Sequence, residues 1–318
     1  MSSIRAIVVD PDVAGCLVVR EFAPPVPSPS EALVRVSAIS LNLGEVRGAM
    51  NADAGRRPGW DLAGRVEQPA ADGSGPRKGA RVVGMIAART GGGWAEQVAV
   101  STRNLAEIPD TVTFAQASTL PVAGLTALWA LEKGGLLLNH NVLITGASGG
   151  VGHLACQLAR NADANVVAVV RRSEHEASIK ELGAQHVVVG ENIASAREYG
   201  PYHLILDSIG GPTLATALTM LAPGGTCVSF GNSSAQETTF DAYPFLLTGG
   251  ASLYGFILFH ELDRRRGAED LGSLARMIAD GKLHPEIDVE APWTEIAEIA
   301  QRLLKRRIKG KAVLHVSN

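Results

Sequence analysis

The run Val142-Leu143-Ile144-Thr145-Gly146-Ala147-Ser148-Gly149-Gly150-Val151-Gly152 constrains this chain more than any other stretch. It reads as a buried strand, a glycine-rich turn and a helix start without interruption. Val142 to Thr145 are apolar or β-branched and bounded by turn signals, as expected of a parallel strand covered on both faces. Beyond the turn the period changes. Val151, Leu154, Ala155, Leu158 and Ala159 fall at i, i+3, i+4, i+7 and i+8, one stripe of an amphipathic helix beginning near Val151. Gly146, Gly149 and Gly152 each have a mechanical job: one allows a tight turn, one lets the backbone approach a pyrophosphate, and one lets helix and strand pack closely. A pyrophosphate would then sit on the free N–H groups and positive dipole end of that helix, with Ser148, Gly150 and Val151 in the same turn. The alternative is a glycine-rich turn that binds nothing. The strand before it and the helix after it favour the dinucleotide site.

A chain of 318 residues suggests one large or two moderate domains, and its 35 glycines suggest many tight turns between strands and helices. The formal charge of −3 and the lack of Lys/Arg clusters argue against a nucleic-acid surface. Arg264-Arg265-Arg266 and Lys305-Arg306-Arg307 read as solvated helix faces. No apolar run reaches membrane-spanning length and the first residues lack a signal-peptide pattern, so a cytoplasmic protein with no membrane partner is expected. Cys16, Cys156 and Cys227 are isolated, which argues against disulfides and structural zinc.

Residues 1 to about 117 read as short strands with glycine punctuation, among them Ile4 to Val9 and Ala32 to Ile39, and suggest a small barrel-like β domain. The prolines between 24 and 29 exclude a central strand there. From Thr113 the texture is helical, with Pro121 bending or dividing a long apolar segment. After the glycine fingerprint, strand and helix alternate to about Phe256, which predicts a doubly wound parallel sheet. The tail reads as two helices, Leu271 to Ala279 and one around Ile296 to Leu304, and a closing strand from Ala312 to Val316.

Several of these stretches resemble a family. Ser40-Leu41-Asn42-Leu43-Gly44-Glu45-Val46-Arg47-Gly48, Pro58 to Gly64, Leu120 to Leu128, the fingerprint, Asp207-Ser208-Ile209-Gly210-Gly211, Val228 to Ser234 and Gly310-Lys311-Ala312-Val313-Leu314 are similar to the medium-chain dehydrogenase/reductases. Within that superfamily they resemble the zinc-independent quinone oxidoreductases of the zeta-crystallin type. The resemblance implies an α/β protein made of a GroES-like β-rich catalytic domain and a Rossmann domain with a doubly wound parallel sheet. It places the first at residues 1 to 117 and 257 to 318, the NADP-binding Rossmann domain at 118 to 256, and the active site in the cleft. Zinc-dependent members carry a Cys where Asn42 stands and a His where Trp60 stands. An amide and an indole cannot supply a tetrahedral N/S site, so no metal is expected.

About twenty residues beyond the glycines, where an NAD site usually carries an acid, stand Arg171-Arg172-Ser173. Two guanidinium groups and a hydroxyl suit a 2′-phosphate, so NADPH is the expected cofactor, with His175 as a further donor. The alternative is that Glu174 or Glu176 reaches a bare ribose.

The resemblance suggests hydride transfer to a quinone or an α,β-unsaturated carbonyl. Asn42 would donate to a substrate carbonyl or help fix the nicotinamide ribose, unless it is only a turn residue. Trp60 would wall the pocket, and Asp61 would tie down the glycine turn. Thr126 would stand by the cofactor phosphates, and backbone groups at Phe256, Ile257 and Leu258 would face the nicotinamide carboxamide. Gly231 and Asn232 end a Rossmann strand, where ligands bind in open sheets. Many relatives carry a Tyr soon after the Asn; here residues 43 to 58 hold none, so Tyr243, solvent or a ribose hydroxyl must supply any proton. Other readings are an enoyl-thioester or 2-alkenal reductase, and a low-turnover NADPH-binding sensor. A homodimer through the apolar segment Ala251 to Phe259 is expected, though burial within the monomer explains that segment nearly as well.

Overall fold

The computed structural model describes residues 3–86 and 92–316. The chain divides into two compact units, Met1–Leu125 with Phe259–Asn318, and Thr126–Leu258. The first change of unit falls inside a helix, later than the domain boundary expected at residue 117.

The first unit opens with an antiparallel pair, β1 (Ile4–Val9) and β2 (Leu17–Phe22), and no strand forms across the prolines that follow. Next come β3 (Glu31–Leu41), α1 (Leu43–Met50), β4 (Asp61–Gln68), β5 (Arg81–Met85), β6 (Gln97–Ser101) and β7 (Leu105–Glu107). Two helices follow, α2 (Phe114–Ser118) and α3 (Leu120–Glu132). The helical segment divides at Thr119, and Pro121 sits in the first turn of α3, where its missing N–H costs nothing.

The second unit contains β8 (Asn141–Ile144), α4 (Gly152–Asn161), β9 (Asn165–Val170), α5 (Glu176–Glu181), β10 (His186–Val189), β11 (Tyr202–Asp207), α6 (Gly211–Leu218), β12 (Leu221–Ser229), α7 (Ala242–Thr248) and β13 (Ser252–Gly255). Its six strands are all parallel, in the order β10-β9-β8-β11-β12-β13. The order reverses between β8 and β11, and open sheets of this kind bind ligands outside the carboxyl ends of the strands at that point. Leu143, Val167, Ile205 and Cys227, one from each of four neighbouring strands, are buried together in its core.

The chain then returns through α8 (Leu258–Arg264), α9 (Ala268–Ala279), β14 (Ile287–Pro292), α10 (Ile296–Leu304) and β15 (Lys311–His315). β15 lies antiparallel to β3, from Ala312 opposite Leu41 to His315 opposite Ala38. The expected small barrel takes the form of a seven-stranded sheet, ordered β14-β15-β3-β4-β5-β7 with β6 also on β3. A strand has two edges, and β3 uses both. One edge pairs with β4; the other is shared by β6 near its start and β15 near its end. This sharing brings the end of the chain beside Asn42. Trp94, Trp293, Ile7, Ile39 and Leu62 fill the core around that sheet.

Candidate active site

Each unit carries one half of the expected chemistry. In the first, β3 ends at Leu41, Asn42 is the residue before α1, and β4 begins at Asp61. Asp61 is fully buried and accepts from four groups: Ser40 Oγ at 2.7 Å, Asn42 Nδ2 at 2.8 Å, Lys311 Nζ at 3.3 Å and, at α3's first turn, the Val122 N–H at 2.9 Å. A carboxylate at the N-terminal end of a helix also faces the positive end of the helix dipole. The expected role of Asp61 is therefore corrected: it joins β3, β4, β15 and α3, a consequence of strand register that a local turn reading does not contain.

The Asn42 amide is engaged at both ends. Its oxygen accepts from Lys311 Nζ at 2.6 Å while its nitrogen donates to Asp61. Glu45, buried on α1, accepts from the Asn42 N–H at 3.1 Å and from the Trp60 N–H. Burial first, and the neighbouring Asp61 charge second, push the Glu45 carboxyl well above its ordinary value of 4.5. The Trp60 ring meets Phe259 edge-on, with centroids 4.7 Å apart. Glu45 and Lys311 were not singled out from the sequence for any role. Both lie in stretches that carry the family resemblance, yet only the fold reveals what they touch.

In the second unit the glycine turn leaves the carboxyl end of β8, at the point where strand order reverses. Gly146, Ser148, Gly149, Gly150 and Val151 are half-buried between a buried strand and a buried helix. Gly146 has φ +63°, and a Cβ there would lie 2.4 Å from Ser208 Oγ; a Cβ on Gly152 would lie 2.4 Å from the Gly146 carbonyl. Side chains at these positions would fill the turn, so the backbone forms a cradle of the kind a pyrophosphate needs, with the first N–H groups of α4 lacking partners inside the helix. The loop after β11 supports it. Thr145 Oγ1 donates to Asp207 Oδ1 at 2.8 Å, the Gly210 N–H donates to Asp207 Oδ2 at 2.9 Å, and Ser208 Oγ donates to the Thr145 carbonyl at 3.2 Å. Burial raises the Asp207 carboxyl, and the bonds from Thr145 and Gly210 oppose that rise. His153 Nδ1 lies 3.0 Å from the Gly149 carbonyl and steadies the turn from below.

Most of the other expected cofactor residues follow strands of this sheet at the same carboxyl edge. Arg171, Arg172, Ser173 and His175 follow β9, Gly231 and Asn232 follow β12, and Phe256, Ile257 and Leu258 follow β13. Arg172 Nη1 lies 2.8 Å from Glu174 Oε1, and His175 Nε2 lies 3.7 Å from the same oxygen. Asn232 sits against the β11 loop, where its Oδ1 would be 2.5 Å from a Cβ on Gly210. Phe256 and Leu258 are buried and Ile257 is exposed, and Thr126 is buried within α3. Tyr243 stands on α7 with its side chain largely exposed, beside the exposed Leu246 and Leu247. No helix of the described residues is long and apolar enough to cross a membrane.

The comparisons with known proteins agree with this geometry. Residues 28–110 match the alcohol dehydrogenase GroES-like domain, and residues 150–274 match the zinc-binding dehydrogenase domain. The chain is 28% identical to a chloroplast envelope quinone oxidoreductase homolog of Arabidopsis thaliana, over 91% of this chain and 92% of that protein. It is 32% identical to a spectinabilin polyketide synthase system protein of Streptomyces orinoci over 90% of its own length, but spans only 13% of that much longer protein. The fold matches that of a mycobacterial protein solved in complex with NADPH, with a TM-score of 0.86 and 24% identity over 98% of this chain and 100% of that one. A GroES-like sheet closed by the chain's own last strand, a Rossmann sheet with its glycine cradle, and these matches place the chain in the medium-chain dehydrogenase/reductase superfamily, in its quinone oxidoreductase-like family of pyridine-nucleotide-dependent oxidoreductases.

Proposed function

We propose that this protein is an NADPH-dependent, zinc-independent reductase of quinones or other α,β-unsaturated carbonyls. The observation that carries the reading is the glycine cradle at the carboxyl end of β8 with two arginines following the neighbouring strand β9. The cradle and α4 would hold the pyrophosphate, and Arg171, Arg172 and Ser173 would hold a 2′-phosphate. When bound, NADPH supplies the hydride. Asn42 and Trp60 stand where zinc ligands would be required, and their side chains cannot replace thiolate and imidazole. In place of a metal, the first unit holds the ammonium of Lys311 against the Asn42 amide. That contact fixes which end of the amide faces Asp61, and Glu45 pins the backbone at Trp60. Glu45 thereby ties the Asn42 backbone to the wall that Trp60 forms, and a proton for the product comes from solvent, a ribose hydroxyl or Tyr243.

The direct experiment follows absorbance at the nicotinamide band with NADPH or NADH and a 1,4-benzoquinone, then a panel of enones. Fast oxidation of NADPH and slow oxidation of NADH are expected. Preference for NADH would sink the phosphate-pocket reading. A second reading, an enoyl-thioester reductase, is favoured by the likeness to a polyketide synthase; turnover of a long enoyl thioester in preference to quinones would establish it. Binding of NADPH with no turnover of any acceptor would indicate a sensor.

We also propose a homodimer through β13, the last strand of the parallel sheet. Leu253 on β13 and Phe240, Leu246, Leu247 and Ile257 near it in sequence are exposed apolar side chains. Sedimentation velocity checks this: Leu246→Glu should shift the species toward monomer.

A further inference from the structure

Glu174 stands inside the arginine cluster that the cofactor reading assigns to a phosphate. It lies in a tight turn, Ser173–His175, directly after β9, on the sheet edge that carries the glycine cradle. One carboxylate oxygen takes a hydrogen bond from Arg172 Nη1 at 2.8 Å and faces His175 Nε2 at 3.7 Å. Arg171 beside them is exposed. An anion held by an arginine, with a histidine nearby, is the arrangement a 2′-phosphate would require, and here the chain supplies the anion itself.

We propose that Glu174 is a built-in competitor at the adenosine 2′ position, setting how strongly this protein prefers a 2′-phosphate over a bare ribose. This rests on the cofactor reading above. With a bare ribose, the carboxylate accepts hydrogen bonds from the hydroxyls and stays close to Arg172. With a 2′-phosphate, it swings out and leaves the arginines to the phosphate. Both side chains are open to water, 45% for Arg172 and 60% for Glu174, so the pair is weak and the exchange is easy. Like charge between carboxylate and phosphate makes the second state less favourable than it would be with a neutral residue. Glu174 thus narrows a preference that two arginines alone would make steep.

Calorimetric titration of the full chain with NADPH, NADH, adenosine 2′,5′-bisphosphate and AMP tests this without turnover. Glu174→Gln keeps size and hydrogen bonding but removes the charge. It should tighten NADPH and the bisphosphate by about 3- to 10-fold, which converts to about 0.7 to 1.4 kcal/mol. NADH and AMP should be unchanged or weaker. If Glu174 instead orients Arg172 toward the phosphate, Glu174→Gln weakens NADPH and the proposal falls; equal NADPH affinity in both proteins also overturns it. Wild-type protein that binds neither nucleotide overturns the cofactor reading itself, an outcome distinct from failure at Glu174.

Discussion

The two units each hold a cation against a carboxylate, and burial makes the pairs behave differently. Lys311 and Asp61 have side chains 2% and 0% exposed, and donors from Ser40, Asn42 and Val122 share the same carboxylate. The Arg172 and Glu174 side chains are both exposed, with a distance that is shorter than the buried one, 2.8 Å against 3.3 Å. Distance alone would rank the exposed pair as the stronger. Burial reverses the ranking: an exposed pair contributes about 0 to 1 kcal/mol, whereas removing one partner of a buried pair costs about 3 to 5 kcal/mol because the other charge is stranded. A stranded charge far from water has no substitute solvent. The buried pair is therefore suited to holding a wall in place, and the exposed pair to being exchanged for a ligand.

The largest effect is expected at Lys311. Lys311→Met should lower stability by about 3 to 5 kcal/mol in urea titrations, leaving the Asp61 carboxylate without its cation. Adding Asp61→Asn to that variant should recover part of the loss, because the pair acts as one unit. Losses that simply add would break the contrast drawn here.

A smaller effect is expected at Glu45 and depends on pH. Burial raises its folded-state value above the ordinary 4.5, so the folded protein holds that proton more tightly than the unfolded chain does. Its contribution is fully present below the unfolded value and is lost as pH rises through the raised folded value. Glu45→Gln cannot ionise. It should flatten that decline in stability as pH rises above the ordinary value of 4.5, at the cost of one acceptor, and a slope equal to wild type would show that Glu45 is ionised throughout.

The smallest change in stability is expected at Arg171, which is exposed. Arg171→Ala should move unfolding by no more than about 0.5 kcal/mol. Its effect should appear on the cofactor instead: about tenfold weaker NADPH, with NADH unaltered, for the loss of a charge-assisted contact worth about 1.5 kcal/mol or more. A large stability loss at this position would mean that the exposed cluster is structural.

The fingerprint was legible because its signals are local. A strand, three glycines and a helical stripe within eighteen residues state their own conformation, and β8 and α4 form within a residue of where the pattern places them. The parallel sheet follows from alternation, since parallel strands require crossovers. The domain change at residue 125 was less legible, because the first turn of α3 is tied to Asp61 while the helix continues without a break in pattern. Asn42 was legible as a place but not as a partner. Its neighbours in the fold, Asp61 and Lys311, stand 19 and 269 residues away along the chain.

By itself, then, the sequence determined the glycine cradle, the doubly wound sheet, the arginines after β9 and the absence of a thiolate and imidazole at positions 42 and 60. Each of these is a statement about residues close in the chain or about the chemistry of one side chain. Only the tertiary structure decided that Lys311 closes a buried charge cluster on Asn42 and Asp61, and that Glu174 pairs with Arg172. The first depends on the register of β15 against β3 and the second on the rotamers of a short turn. Pairing across a sheet joins residues by geometry rather than by spacing, and no local pattern encodes it.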